Sequence, residues 1–183
     1  MGAPRRAVRA HGGGVGARAV RAAVALGSNL GNRRRWLTLA LDLLDLPVLA
    51  VSCLYDTAPV GDVPQGRFLN AVAVIDTPPD PVGLLARMLA VERACGRRRL
   101  IAKGPRTVDL DLLLTDQPLP ESPYLRLPHP EIGQRAFVLV PLLEVWPAEA
   151  IPVPREVIER CLSDDPSLAV AAQEDWYPRI SPS

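Results

Sequence analysis

The sequence predicts an α+β fold of the ferredoxin-like kind: a βαββαβ core, an antiparallel sheet with helices packed on one face, and further helices at the C-terminal end. Three observations predict it. Short apolar runs and amphipathic stretches follow one another as strand, helix, strand, strand, helix, strand. The two middle runs are separated by a Pro- and Gly-rich loop and no helix, which suits antiparallel neighbours. No internal repeat breaks that order, and 183 residues suffice for one domain with a proper core.

Order is expected from about Val20. AVRAAVALG is apolar, ends in Gly27 and suits a strand; SNLGN follows as a turn. Asn32 then caps a helix reaching about Asp45, in which Trp36, Leu37, Ala40, Leu41 and Leu44 recur at helical spacing. Arg33, Arg34, Arg35, Asp42 and Asp45 mostly take the other side and read as a solvated face rather than a phosphate patch. Pro47 ends the helix, VLAVSCLYDT reads as one second strand, APVGDVPQG as a loop, and RFLNAVAVID as a third strand paired with the second. Asp80 and Pro81 supply an N-cap and a first helical residue, Leu84, Leu85, Met88, Leu89 and Val91 an apolar stripe, and Gly96 a stop. GRRRLIAKGPR is a basic loop and TVDLDLLL the fourth strand. DQPLPESPYLRLPHP is Pro-rich and irregular with a small hairpin, RAFVLVPLLEVWP is helical from about Ala136, and REVIERCL is a last short helix. The expected division is a disordered N-terminal tail over 1–19, the folded domain over 20–163 and a C-terminal tail over 164–183, with Trp176 and Tyr177 its candidates for docking.

Composition excludes several classes of function. The formal net charge of +1 gives no global attraction to nucleic acid or membrane, and aromatic residues at 4% leave little for a base-stacking platform. No apolar run approaches the roughly 20 residues that span a bilayer. The Arg- and Gly-rich N-terminus lacks the apolar region of a secretory signal, and Arg6 breaks the myristoylation pattern. Its composition suits a transit peptide or a disordered tail, and the tail is expected. Cys53, Cys95 and Cys161 are odd in number and form no C-x-x-C pair, so small buried thiols in a reducing, cytoplasmic setting are expected.

The chemistry concentrates in GPRTVDLDLLL. Asp109 and Asp111 stand at i and i+2 of a strand and so share one face, while Val108, Leu110 and Leu112 share the other. Two carboxylates aimed together repel, and either a shared divalent cation or ion pairs to nearby arginines would compensate them; the spacing alone leaves both open. Arg97, Arg98, Arg99, Lys103 and Arg106 lie just upstream, and guanidinium forks match phosphate oxygens. Paired carboxylates beside a basic, Gly- and Pro-broken loop are the equipment of phosphoryl transfer. No Walker A and no G-x-G-x-x-G sequence is present. Glu92 continues the helix stripe toward the sheet and is either functional or paired with Arg97 or Arg99. His129 in LPHP is structural or, with Arg135, part of a phosphate site. Phe68 and Asn70 share a strand face, suited to stacking on and reading a heterocycle, or to structural roles.

ALGSNLGN, YDTAPVG, FLNAVAV, VERACGRRR, GPRTVDLDLLL, and LPHP with RAFVLVPLLE, in that order over roughly residues 22 to 147, resemble the 6-hydroxymethyl-7,8-dihydropterin pyrophosphokinase family. The resemblance implies ATP-dependent pyrophosphoryl transfer to the hydroxymethyl group of a dihydropterin in folate biosynthesis, with ATP as co-substrate and two Mg²⁺ ions. It implies Arg97, Arg106, Asp109 and Asp111 as catalytic residues, the two aspartates also as metal ligands. It implies Glu92, Arg99, Leu112, His129 and Arg135 as the ATP site, and Thr57, Val60, Phe68, Asn70 and Phe137 as the pterin site. The chain departs from the family at Leu89, where better-known members carry Gln, at Phe68, where some carry Tyr, and in the LIAKG loop, which is one residue shorter than in some members and has Lys103 where a Trp is expected. A nucleic-acid-binding module of similar topology would suit the basic loop, but the strands lack the paired aromatics that such modules stack on bases; a regulatory small-molecule domain would not need two aspartates on one strand face beside five cationic residues. The expected partners are small-molecule substrates acting on a monomer, with no nucleic acid and no membrane.

Overall fold

The computed structural model describes residues 19–98, 101, 103–163, 169–172 and 176–178. Its strands are β1 (Val20–Ser28), β2 (Val48–Val51), β3 (Leu54–Thr57), β4 (Phe68–Thr77), β5 (Asp109–Thr115) and β6 (Ala169–Ala172). Its helices are α1 (Arg33–Leu44), α2 (Pro81–Ala94), α3 (Ala136–Val145) and α4 (Arg155–Ser163), with a 3₁₀ turn at Ala148–Ala150. The sheet runs β5-β1-β4-β3-β6, with β2 also paired to β4, and β1 is antiparallel to both its neighbours. This is the ferredoxin-like order expected from the sequence.

Local signals close α1 and α2. The Asn32 side chain accepts the Arg35 N–H, and Asp45 ends α1 in a left-handed conformation. Arg87 of α2 donates to the freed Leu44 and Asp45 carbonyls, so one helix caps the other. Asp80 accepts the Gly83 N–H with Pro81 at the first helical position. Gly96 stops the chain at φ +76°, a conformation a side chain would strain.

Two cores sandwich the sheet. On one face Ala22, Val24 and Leu26 of β1, with Leu110 and Leu112 of β5, pack against Leu37 and Leu41 of α1 and Leu84 and Met88 of α2. On the other, Ala23 of β1, Val72 and Val74 of β4 and Leu113 and Leu114 of β5 pack against Val138, Leu139 and Leu142 of α3. Helices therefore cover both faces, where one face was expected: α3 reaches back over the sheet because its apolar residues need a second partner surface. It leaves Ala25, Gly27, Asn70, Asp109 and Asp111 lining a cavity beside it.

Two further expectations are corrected. VLAVSCLYDT is two strands, broken at Ser52 and Cys53. Glu144 of α3 accepts the Cys53 N–H at 2.7 Å and the Tyr55 hydroxyl proton, and Ser52 Oγ accepts the Val72 N–H at 3.0 Å. The break is set from 91 residues away and leaves no local trace in an unbroken apolar run. Burial, then the Glu144 carboxylate, pushes the Tyr55 hydroxyl far above its ordinary range. The segment read as a C-terminal tail also supplies structure. β6 pairs with β3, and Trp176 and Tyr177 are 2% and 4% exposed within the first core. Trp176 Nε1–H donates to the Ser52 carbonyl at 2.8 Å, meeting a polar group freed by the strand break. Among the described residues Cys53, Cys95 and Cys161 form no disulfide, and only Cys95 is buried where all three were expected to be; no helix among those residues is long and apolar enough to cross a membrane.

Truncating Trp176 removes a buried ring and an indole hydrogen bond. Trp176→Ala is expected to lower unfolding stability by about 3–5 kcal/mol in urea titrations; a loss below about 0.5 kcal/mol would mean that the segment is not part of the core.

Candidate functional site

Strand register builds the cavity beside α3. Gly27 pairs with Asn70 of β4 on one side and Asp109 of β5 on the other, and Ala25 pairs with Val72 and Asp111. Ala25, Gly27, Asn70, Asp109 and Asp111 line a cavity on the face that α3 packs against, while Val72 lies under α3 itself. Small residues on the central strand form the floor, and larger groups on the flanking strands form the walls. A Cβ placed on Gly27 would stand 3.0 Å from Asn70 Oδ1 and 3.9 Å from both Phe68 Cδ1 and the Asp109 Cβ. Gly27 thus admits a flat group between the aromatic wall and the carboxylates.

The resulting cavity, about 140 Å³, is lined by Thr57, Val60, Phe68, Asn70, Arg106, Asp109, Asp111, Arg135 and Phe137, among others. That far exceeds the roughly 10–15 Å³ a single water needs. Asn70 Nδ2 donates to Thr57 Oγ1 at 2.7 Å, which leaves Asn70 Oδ1 as the acceptor on the Gly27 side. The guanidinium carbons of Arg106 and Arg135 lie 5.7 Å from the ring centroids of Phe68 and Phe137 respectively, so each aromatic wall carries a cation.

The charges behind the cavity form one network. Arg97 donates to both Glu92 and Asp109, and Arg106 pairs with the other oxygen of Asp109. Glu92, only 4% exposed, also accepts the Leu110 N–H of β5 at 3.0 Å. Asp109 is therefore compensated by arginines. Among the described residues no cation forms an ion pair with Asp111. Burial first, then the Asp109 charge, pushes its carboxyl upward, against the weaker opposing pull of His129, Arg135 and Arg97. His129 is anchored by its N–H to the Leu113 carbonyl at 2.7 Å, and its Nδ1 accepts the Glu131 N–H at 3.2 Å, leaving Nε2 as the donor nitrogen. Arg135 pairs with Glu131.

Most residues singled out from the sequence thus converge. Leu112 has its side chain in the core of the opposite face, 3% exposed, so only its backbone can serve a ligand. Alternation places that backbone on the same outer edge of β5 as the Leu110 N–H. Arg99 lies outside the described residues. Lys103 sits at φ 55° and its carbonyl accepts from Gln65. Sequence reasoning assigned no role to Ala25, Gly27, Asn29 or Gln65. Only Gly27, ending an apolar strand, carried a signal: a backbone position where something approaches closely.

A divalent cation fits the carboxylate pair. Both side chains are oxygen donors on one face, and Asp111 carries a charge that burial and Asp109 disfavour. Among the described residues no group of three or more His, Cys, Asp or Glu side chains could hold a metal, so the pair suits an ion that completes its shell with ligand oxygens and water, as Mg²⁺ does.

Comparison with known proteins places these features. Residues 23–147 match the family described as 7,8-dihydro-6-hydroxymethylpterin-pyrophosphokinase. The chain is 44% identical over 140 residues to a 2-amino-4-hydroxy-6-hydroxymethyldihydropteridine pyrophosphokinase of Pseudomonas aeruginosa, covering 74% of this chain and 86% of the relative. It is 42% identical over 126 residues to the Bacillus subtilis protein of the same name, covering 67% and 75%. Among solved structures, an HPPK-DHPS in complex with substrates aligns at TM-score 0.58 and 14% identity, over 79% of this chain and 43% of that one, which is a likeness of fold.

The raised Asp111 carboxyl predicts a stability signature. Its ionisation costs folded-state stability as pH rises through the carboxylate range, and the cost vanishes at low pH where the group is protonated in both states. Asp111→Asn in the ligand-free protein is expected to unfold at higher urea than the parent at pH 7, with the gap closing toward pH 3. A less stable variant at pH 7 would mean that Asp111 is compensated in the fold.

Proposed function

The chain belongs to the 7,8-dihydro-6-hydroxymethylpterin-pyrophosphokinase family, and we propose from that premise how the cavity transfers pyrophosphate from ATP to the hydroxymethyl group of 6-hydroxymethyl-7,8-dihydropterin, a step of folate biosynthesis. The observation that carries the assignment of residues is the cross-strand row Asn70–Gly27–Asp109. It sets a slot for a flat heterocycle directly beside the carboxylate pair.

The pterin ring enters between Phe68 and Phe137. Asn70, held by Thr57, presents an acceptor to a ring N–H, and Val60 closes the slot from the loop above. The hydroxymethyl group then points toward Asp109 and Asp111. ATP lies along the basic rim, its phosphates on His129 and Arg135 and its nucleoside near Glu92 and the Leu112 backbone at the open edge of β5; Arg99, outside the described residues, is a phosphate ligand by family resemblance alone. The hydroxyl oxygen attacks the β-phosphorus and releases its proton to solvent, the bond from that phosphorus to the α,β-bridging oxygen breaks, and AMP leaves with that oxygen. Arg97 and Arg106 exchange Asp109 for the phosphoryl oxygens and stabilise charge in flight. Asp109 and Asp111 would hold Mg²⁺, two ions by family resemblance; when bound, the metal would neutralise phosphate charge and acidify the substrate hydroxyl. Leu89, only partly buried on α2, replaces the nucleotide-holding Gln of better-known members, so a larger share of nucleotide binding falls to the arginines.

We place the protein in the cytoplasm as a monomer with small-molecule partners. The chain also covers 21% of a folic acid synthesis protein of Schizosaccharomyces pombe at 36% identity, so related sequence occurs within longer chains.

The assignment predicts that purified protein with ATP, Mg²⁺ and the dihydropterin releases AMP in step with pterin consumption. Asp109→Ala and Asp111→Ala are each expected to cut kcat by at least about 100-fold while staying folded. Release of ADP in place of AMP, or full activity in either variant, would contradict it.

A further inference from the structure

The cross-strand row along the cavity does not end at Asn70. Asn70 pairs with Gly27 on one side and with Tyr55 of β3 on the other, so the row from Asp109 through Gly27 and Asn70 continues to Tyr55. Cross-strand partners share a face, which turns the Tyr55 side chain toward α3. Tyr55 is 8% exposed, and its hydroxyl donates to Glu144 Oε1 of α3. The other oxygen of the same carboxylate accepts the Cys53 N–H at 2.7 Å. Glu144 itself is exposed, and both of these bonds run to the segment that opens β3.

Each end of this brace carries a wall of the cavity. On α3, Phe137 and Glu144 are two helical turns apart and lie along one side of the helix. On β3, Thr57 follows Tyr55 by two positions and shares its face. Thr57 Oγ1 accepts from Asn70 Nδ2 at 2.7 Å and so fixes the amide whose oxygen faces the Gly27 side. Thr57 also pairs with Phe68, the opposite aromatic wall. The apolar contacts of α3 with Val72 and Val74 are non-directional and hold the helix on the sheet without setting one exact position. A hydrogen bond to a carboxylate is directional and charge-assisted, and it sets that position.

We infer that Glu144 and Tyr55 are positioning residues for the heterocycle: their bond fixes the distance from Phe137 to the side of the slot formed by Phe68, Thr57 and Asn70, and with it the fit of a flat ring. This rests on the reading of the cavity as a pterin slot. Neither residue lines the cavity, and the arginine network around Asp109 lies beyond Gly27 in the row. The effect therefore falls on the heterocycle and spares the nucleotide. A bond that only anchored the helix would act on both ligands alike.

The test uses the full-length chain and two dissociation constants. One is that of the dihydropterin with Mg²⁺ and an ATP analogue carrying a methylene between the α- and β-phosphates; the other is that of the analogue with Mg²⁺ alone. Tyr55→Phe removes one hydroxyl and keeps the buried ring. It is expected to weaken pterin binding at least about fivefold and analogue binding less than about twofold. Glu144→Ala loses both bonds at an exposed position, leaves no buried gap and is expected to weaken pterin binding further. Glu144→Gln keeps an oxygen for the Cys53 N–H and an amide beside the Tyr55 hydroxyl, and is expected to recover most of that loss. In a Phe137→Ala background Tyr55→Phe is expected to add nothing, since the brace acts through that wall. Unchanged pterin affinity in Tyr55→Phe overturns the proposal, as does equal weakening of both ligands or an undiminished effect in the Phe137→Ala background. A parent that binds the analogue but not the dihydropterin overturns the underlying reading of the slot itself.

Discussion

Asp109 and Asp111 share one face of β5, and burial, then the Asp109 charge, raises the cost of ionising Asp111. The fold answers this on one side only. Arg97 and Arg106 close on Asp109, Glu92 in turn holds Arg97, and Asp111 has no ion-pair partner among the described residues. The arrangement is stable without ligand yet leaves a charge deficit at one place. In the proposed reading, a polyphosphate arriving with its cation would resolve it twice over: the cation would meet the carboxylates, and the arginines displaced from Asp109 would find phosphate oxygens. Stability is given up at Asp111 so that binding can recover it, the usual relation between a poised site and its scaffold.

The packing explains why this deficit lies in a cavity and not under a helix. α3 covers Ala23, Val72, Val74, Leu113 and Leu114 and stops short of Ala25, Gly27, Asn70, Asp109 and Asp111. Phe137, at the start of α3, marks that boundary and becomes a wall of the slot. Glu144, near the other end of the same helix, breaks the second apolar run into β2 and β3. One short helix therefore shapes both the opening and the strand geometry beside it, and Trp176 locks the break from the other face.

Much of this was legible in the sequence because it depends on period and local chemistry. The alternation that puts Asp109 with Asp111, the Asn32 and Asp80 caps and the Gly96 stop each follow from neighbours within four positions. What was not legible depends on distant partners. The split at Ser52 needs Glu144, the pairing of Ala169–Ala172 needs β3, and the role of Gly27 appears only when Asn70 and Asp109 are brought to either side of it. Leu112 illustrates the same divide. A sequence motif marks the position, but strand parity decides that its side chain belongs to the core and only its backbone faces the edge. Of the two compensations that spacing left open for the aspartates, the fold uses arginine for Asp109 and gives Asp111 no ion pair among the described residues.

The central claim is that the aspartate pair recruits a cation to the nucleotide. Its most direct measurement is the affinity of a non-transferable ATP analogue as a function of Mg²⁺ concentration, in the parent and in Asp109→Asn and Asp111→Asn. The account predicts that the parent tightens steeply with Mg²⁺ and that each variant loses most of that dependence while still binding the analogue weakly through its arginines. An undiminished Mg²⁺ dependence in both variants would contradict it.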